Sequence, residues 1–253
     1  MFRTASAIAL ALALAACATP PPAPRTSADY AALLTAPTRP DGDKVDDAAR
    51  KPADVLAFTN INAGDTVLEL EAGRGYYTEL LAGAVGPAGH VIMQNPPEFA
   101  NYSPQITARL AGNRLPNVKL VTTHFDALGD VPAGSVDKVV WILGPHELYY
   151  TPKDSKGLGD ATKSYAEIVR VLKPGGTFIA MDHAAIAGSP TTTGGTIHRV
   201  DPAVVMKMAT AAGLKFVDKS EVLANPADDK TKMVFDATIR RHTDQFLFRF
   251  KKG

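Results

Sequence analysis

Two short runs set acid–base residues side by side. Gly144-Pro145-His146-Glu147-Leu148-Tyr149-Tyr150 puts an imidazole next to a carboxylate and two phenols, and Met181-Asp182-His183 puts a carboxylate next to a second imidazole. Histidine titrates near neutral pH, so His146 with Glu147 or Asp182 to orient it could take the proton of a hydroxyl nucleophile. Tyr149 and Tyr150 could stack an aromatic substrate or face a cation. The plainer alternative for this run is a helix cap with a surface aromatic cluster. Asp182 could orient His183 or pin the loop that follows, Ala184–Thr196, whose small residues suit a lid. That loop delivers His198 and Arg199. Arg199 could grip a carboxylate or phosphate in a bidentate fork, or pair with Asp201 or with the acids of Asn225–Asp229. His146, His183 and His198 with Glu147 or Asp182 would be acceptable zinc ligands if they converged. No tight spacing such as His-x-x-x-His supports this, and no metal is assigned.

A second kind of chemistry lies in Val67–Leu81, VLELEAGRGYYTELL. Val67, Leu68 and Leu70 read as a buried strand that runs through Gly73 and Gly75 into a helix opening at Tyr76. A strand turning through glycines onto a helix start presents bare N–H groups and a positive dipole end to a ligand. That is a nucleotide-type cofactor site. The dinucleotide fingerprint wants a further glycine three residues on, where this chain has Thr78.

These groups need a scaffold to hold them. Strands are expected at Val67–Leu70, from Val91, at Val118–Thr122, Val136–Leu143, Thr177–Met181 and Phe216–Leu223, and in the alternating tail TDQFLFRFKK. Helices are expected from Pro52 through Phe58, over Tyr76–Ala84 and Ser103–Ala111, over Ala161–Leu172 with its i, i+3, i+4, i+7 apolar face, and from Pro202 behind an Asp201 cap. Strands and helices in alternation imply a parallel sheet covered on both faces. Two strands in succession at the end imply a hairpin and one antiparallel strand.

With Glu69 the glycine run reads E-x-E-x-G-x-G, which resembles motif I of class I S-adenosylmethionine-dependent methyltransferases. The pieces RKPADVLAF, GYYTELLAGAVGP, LKPGGTFIAMDHA, HRVDPAVV, NPADD and TDQFLFRF further resemble predicted exported bacterial methyltransferases. The resemblance spans roughly residues 51–252. It implies an α/β, three-layer Rossmann-like seven-stranded fold, mostly parallel with one antiparallel strand. It implies S-adenosylmethionine as cofactor, held by Glu69, Glu71, Gly73, Gly75, Asn95, Asp126 and Ala127. The last two stand where such enzymes contact the adenine amino group, although Asp126 reads equally as a turn residue. It implies catalytic residues among His146, Glu147, Tyr150, Asp182, His183 and His198. Two positions depart from the pattern. Glu71 replaces the first glycine, so the turn is expected to avoid positive φ there. Gln94 and Asn95 replace the acid that normally grips the ribose, and an amide can bond hydroxyls only without charge assistance.

The chain has 253 residues, 45% of them hydrophobic, enough for one substantial core, and a formal net charge of +1. A balance so near zero with no basic run argues against nucleic acid as a partner. Arg3 and the apolar run Ala5–Ala16 read as a leader too short to span a bilayer. It ends in Leu14-Ala15-Ala16-Cys17, which resembles a bacterial lipobox. The domains expected are therefore a lipoprotein signal peptide over 1–16, a Pro/Ala-rich tether over 17–45 from a lipidated Cys17, and a methyltransferase-like domain over 46–253. That places the protein in the cell envelope facing the periplasm, with Ala18 suiting the outer membrane. An ordinary secretory leader with an incidental cysteine is the simpler alternative. Three functions remain open: methyl transfer to a small molecule, acid–base catalysis without the cofactor (a hydrolase, lyase or isomerase), or ligand capture without turnover.

Overall fold

The computed structural model describes residues 24–253. The leader and Cys17 lie outside the described residues. Seven strands form one sheet: β1 (Thr66–Leu70), β2 (His90–Asn95), β3 (Val118–Thr122), β4 (Val136–Ile142), β5 (Leu172–His183), β6 (Leu214–Ser220) and β7 (Gln245–Lys252). Their order is β3-β2-β1-β4-β5-β7-β6. Every pairing from β3 across to β5 is parallel, and β7 runs antiparallel to both β5 and β6. The strand order reverses between β1 and β4, and ligands of open α/β sheets bind outside the strand ends at such a switch point.

The helices are α1 (Ser27–Leu34), α2 (Asp41–Lys44), α3 (Asp47–Arg50), α4 (Pro52–Thr59), α5 (Tyr76–Val85), α6 (Ser103–Leu110), α7 (Ala161–Val171), α8 (Thr193–Ile197) and α9 (Pro202–Ala211). Alternation along the strands explains the layering. Leu68, Leu70, Trp141 and Phe178 enter one core with Tyr165 and Ile168 of α7 and Val205 and Ala209 of α9. Val67, Val140 and Ile179 enter the other with Tyr30 of α1, Leu56 of α4 and Leu80 and Leu81 of α5. Asp160 and Asp201 cap α7 and α9, accepting from the Lys163 and Ala203 N–H groups.

The seven-stranded expectation holds, with three differences of detail. The fifth strand begins earlier, at Leu172; Gly175 sits inside it at φ +76 and the register with β4 shifts there, so the Lys-Pro-Gly-Gly turn is a bulge within the strand. β6 and β7 are joined by the long segment 221–244 rather than a tight hairpin. The largest correction concerns the tether. Residues 24–45 were expected to stand off the domain, yet α1 packs on it. Tyr30 is fully buried and its hydroxyl donates to the Ile61 carbonyl at 2.7 Å. Arg39, 3% exposed, holds Asp47 through both terminal nitrogens. A Thr26–Asp29 capping box starts α1, and Tyr30, Leu33 and Leu34 give it an apolar face despite the surrounding prolines.

Candidate functional site

The glycine loop leaves β1 at its carboxyl end. Gly73 and Gly75 have φ +57 and +87, the left-handed conformation that glycine adopts without strain. A Cβ on Gly75 would lie 2.7 Å from the Arg109 side chain, whereas one on Gly73 would meet nothing within 4 Å. So Gly75 serves packing, and the Cα side of Gly73 faces open space. Glu71 corrects an expectation: its φ is +56, and the turn keeps the glycine-like conformation with a side chain on it. Its N–H donates to Gln94 Oε1 at 3.0 Å, and its carboxyl accepts from Trp141 Nε1 at 3.1 Å. Those bonds offset a left-handed cost of about 1–2 kcal/mol. Burial, with the Glu147 charge nearby, pushes the Glu71 carboxyl well above the usual carboxylate range.

The other residues assigned to the cofactor split up. Glu69 is buried beneath α5 and accepts from the Thr78 hydroxyl; burial pushes its carboxyl up to about 7. Asn95 does not reach outward for a ribose. Its Oδ1 accepts from the Gly73 N–H at 2.8 Å and its Nδ2 donates to the Gly73 carbonyl at 3.0 Å, so the amide braces the loop from behind. Asp126 accepts from the Asp160 N–H at 2.9 Å and ties two rim loops together, with Ala127 exposed beside it.

The acid–base residues converge. Pro145–Tyr149 is a short 3-10 turn beyond β4, and Asp182, fully buried, ends β5 beside it. Asp182 Oδ2 accepts from the His146 N–H at 2.7 Å, and Oδ1 lies 2.8 Å from His146 Nδ1. His146 Nε2 is then left facing His198 Nδ1 at 3.2 Å and Glu147 Oε1 at 3.3 Å, and His198 Nδ1 lies 3.4 Å from the same Glu147 oxygen. Of the two carboxylates expected to orient His146, Asp182 takes Nδ1 and Glu147 stands at Nε2, and the alternative in which Asp182 orients the His183 ring does not hold. His183 turns its Nδ1 to the Thr243 hydroxyl at 2.7 Å, and burial lowers its pKa. Nor does His146 titrate near neutral. Burial opposes its charge, but Asp182 and Glu147 outweigh that and raise it to about 10. Burial likewise opposes Glu147, yet hydrogen bonds from His146 and His198 hold it down to about 2.

The segment 184–198 is no loose lid. Ala184 and Val200 pair as a bridge, and Gly188 N–H donates to Asp201. A Cβ on Gly194 would lie 2.4 Å from the His146 carbonyl, and one on Gly195 would lie 2.7 Å from the Tyr149 carbonyl. Only glycines let α8 approach the 3-10 turn this closely, and α8 ends on His198 at φ +54. His198 then meets the rings of Tyr150 and Phe235 at 5.3 and 5.1 Å. Leu143 adds a third left-handed residue, φ +59, at the end of β4. Strained backbone at Glu71, Leu143 and His198 thus surrounds one spot, where functional sites concentrate it. Arg199 takes no part: fully buried, it grips Asp228 through both terminal nitrogens, one of the structural alternatives for it. Beside the centre lies a cavity of about 150 Å³ lined by Leu143, His183, Phe235, Arg50, Arg240 and Arg241. The sequence assigned no role to Phe235, Arg240 and Arg241, which arrive on a segment with no motif, or to Arg50, which opens RKPADVLAF.

Neither a family model nor a curated protein matches the chain. Solved structures do. A SAM-dependent methyltransferase from Aquifex aeolicus is similar at 21% identity and TM-score 0.58, covering 83% of this chain and 96% of that one. An S-adenosylmethionine-dependent methyltransferase from Mesorhizobium loti is similar at 14% identity and TM-score 0.58, over 82% of this chain and 100% of its own. The [4+2]-cyclase SpnF is similar at 16% identity and TM-score 0.57, over 83% and 81%. The chain has the fold of the class I S-adenosylmethionine-dependent methyltransferases.

Proposed function

We propose that this chain is an enzyme acting on a small molecule at the His146–Glu147–His198 centre, and that it transfers a methyl group from S-adenosylmethionine. The observation that carries the reading is the hold of Asp182 on His146 at the mouth of β4 and β5, beside the switch point of a methyltransferase fold. On the loop itself the residues fit the methionyl end of the cofactor. The Cα side of Gly73 faces open space, leaving room for a ligand beside the loop, and burial that raises the Glu71 carboxyl weakens its repulsion of a carboxylate. When bound, the cofactor supplies an electrophilic methyl on sulfur.

The chain's own residues do the rest. Both ring nitrogens of His146 face protein partners, so it is a poor choice for the base that meets substrate. His198 is the outer ring, its side chain 14% exposed, with Nδ1 steadied by Glu147. It would take the substrate proton, with Tyr150 and Phe235 walling the pocket. Arg240 at the adjoining cavity suits a substrate bearing an anionic group, while Arg241 there is already paired at 2.6 Å with Asp46, which lines the same cavity.

A second reading, acid–base catalysis without the cofactor, is favoured by Asn95, whose amide is turned onto Gly73 where a ribose-gripping acid is wanted. The similarity to a cyclase shows that a catalyst of another name occupies the same scaffold. Calorimetry separates the two. The first expects saturable heat with S-adenosylmethionine and S-adenosylhomocysteine, kept in His198→Ala and lost in Gly73→Arg. No heat with either up to millimolar concentration rejects it and leaves the second. As part of the same proposal, Cys17 carries a lipid that anchors the protein in the bacterial envelope, a reading supported by Leu14–Cys17 alone.

A further inference from the structure

The geometry points to a divalent metal site of zinc type, its protein ligands His146 Nε2, His198 Nδ1 and Glu147 Oε1. The three ligand atoms form a nearly equilateral triangle with edges of 3.2, 3.3 and 3.4 Å. Ligand atoms at zinc-bond length on a tetrahedral ion lie about 3.3–3.4 Å apart, so one ion just outside the triangle's plane reaches all three. The other Glu147 oxygen, Oε2, is buried without a hydrogen-bond partner, in a residue 7% exposed.

The surroundings match what a metal requires. Asp182 takes the Nδ1 side of His146, the outer-shell carboxylate that fixes a ligating imidazole with Nε2 turned to the metal. Asp182 is itself fixed by the His146 and His183 N–H groups. Two imidazoles and one carboxylate from the protein leave a fourth position, the arrangement of catalytic rather than structural zinc. An ion there would lower the pKa of a bound water or of a substrate hydroxyl or thiol and release its proton to solvent, and His198, with its one basic nitrogen on the ion, would then serve as ligand in place of base. No local spacing announces the set, because His146 and His198 stand 52 residues apart and α8 brings them together only through Gly194. The inference does not rest on S-adenosylmethionine, and its test contains none.

The test uses the full chain carrying Cys17→Ser, since the chain's single thiol would compete for the ion. Stripped by chelator dialysis, the protein is titrated with Zn²⁺ by calorimetry and with Co²⁺ by visible absorption. One ion per chain and a Co²⁺ ligand-field band of tetrahedral intensity are expected. Glu147→Gln and His198→Ala should each weaken Zn²⁺ binding at least about 100-fold, and Asp182→Asn about 10–100-fold through its hold on His146. His124→Ala, whose ring meets Glu98 instead, should leave affinity unchanged. Circular dichroism of each variant checks the fold. The absence of a ligand-field band in the unsubstituted site, or equal affinity in all folded variants, overturns the proposal.

Discussion

At the residue scale, the controlling fact is how many carboxyl groups this structure takes out of water. Glu69, Glu71, Glu147 and Asp182 all lie in or just behind the strand ends. Isolated carboxylates are costly there, so each is either bonded to a cationic partner or kept neutral. Glu69 is the clearest neutral case. Its carboxyl rises from 4.5 to about 7 because burial outweighs the Thr78 hydroxyl bond. The folded state therefore holds a proton that the unfolded chain releases near pH 4.5. As pH rises from 4.5 through 7 the unfolded state binds fewer protons, and stability falls by roughly 3 kcal/mol, then levels off. Glu69→Gln should remove that slope while leaving acid stability close to the parent's. Urea midpoints at pH 5 and pH 8 measure it, and parallel changes in both proteins would show that Glu69 is not the group responsible.

At the element scale, glycines and left-handed residues do the positioning. β1 and β4 end side by side, and a Cβ on Gly144 would lie 2.3 Å from the Glu71 carboxyl, so the two strand ends close on each other through a missing side chain. The strands and helices were legible because periodicity is local: Tyr165 and Ile168 of α7, or the alternating phenylalanines of β7, announce themselves within a few residues. The site was legible only as a set of types. His146 and Asp182 stand 36 residues apart, and the two runs leave open whether Asp182 serves His146 or its neighbour His183 until the ends of β4 and β5 bring it to His146. Tertiary pairing likewise overrode the reading of Glu71, whose left-handed turn is held by Gln94 and Trp141 from two other strands. Composition misled over 24–45, where prolines hid the α1 face. Tyr30→Ala tests that correction. Loss of a fully buried aromatic costs about 3–5 kcal/mol in comparable cores, and the hydroxyl bond to Ile61 goes with it. A loss below about 1 kcal/mol in chemical denaturation would return α1 to the tether.

At the scale of the whole molecule, packing α1 onto the body shortens whatever links the body to a membrane. Arg25 already bonds the domain, its guanidinium donating to the Ile61 and Ala84 carbonyls at 3.3 Å. In the proposed lipoprotein, only the stretch from Cys17 to Pro24 stands between anchor and fold, and at full extension it spans about 25 Å. The body would therefore stay close to the bilayer, and its substrates would be those that reach the membrane face. No helix among the described residues is long and apolar enough to cross a membrane. A net charge of +1 adds little attraction to anionic lipid. Cys17→Ser should accordingly move the protein from the membrane pellet to the soluble envelope fraction, while Arg3→Ala should leave it attached if export still proceeds. Persistence of the Cys17→Ser protein in the pellet through a high-salt wash would mean that the folded body itself, and not a lipid, binds the membrane.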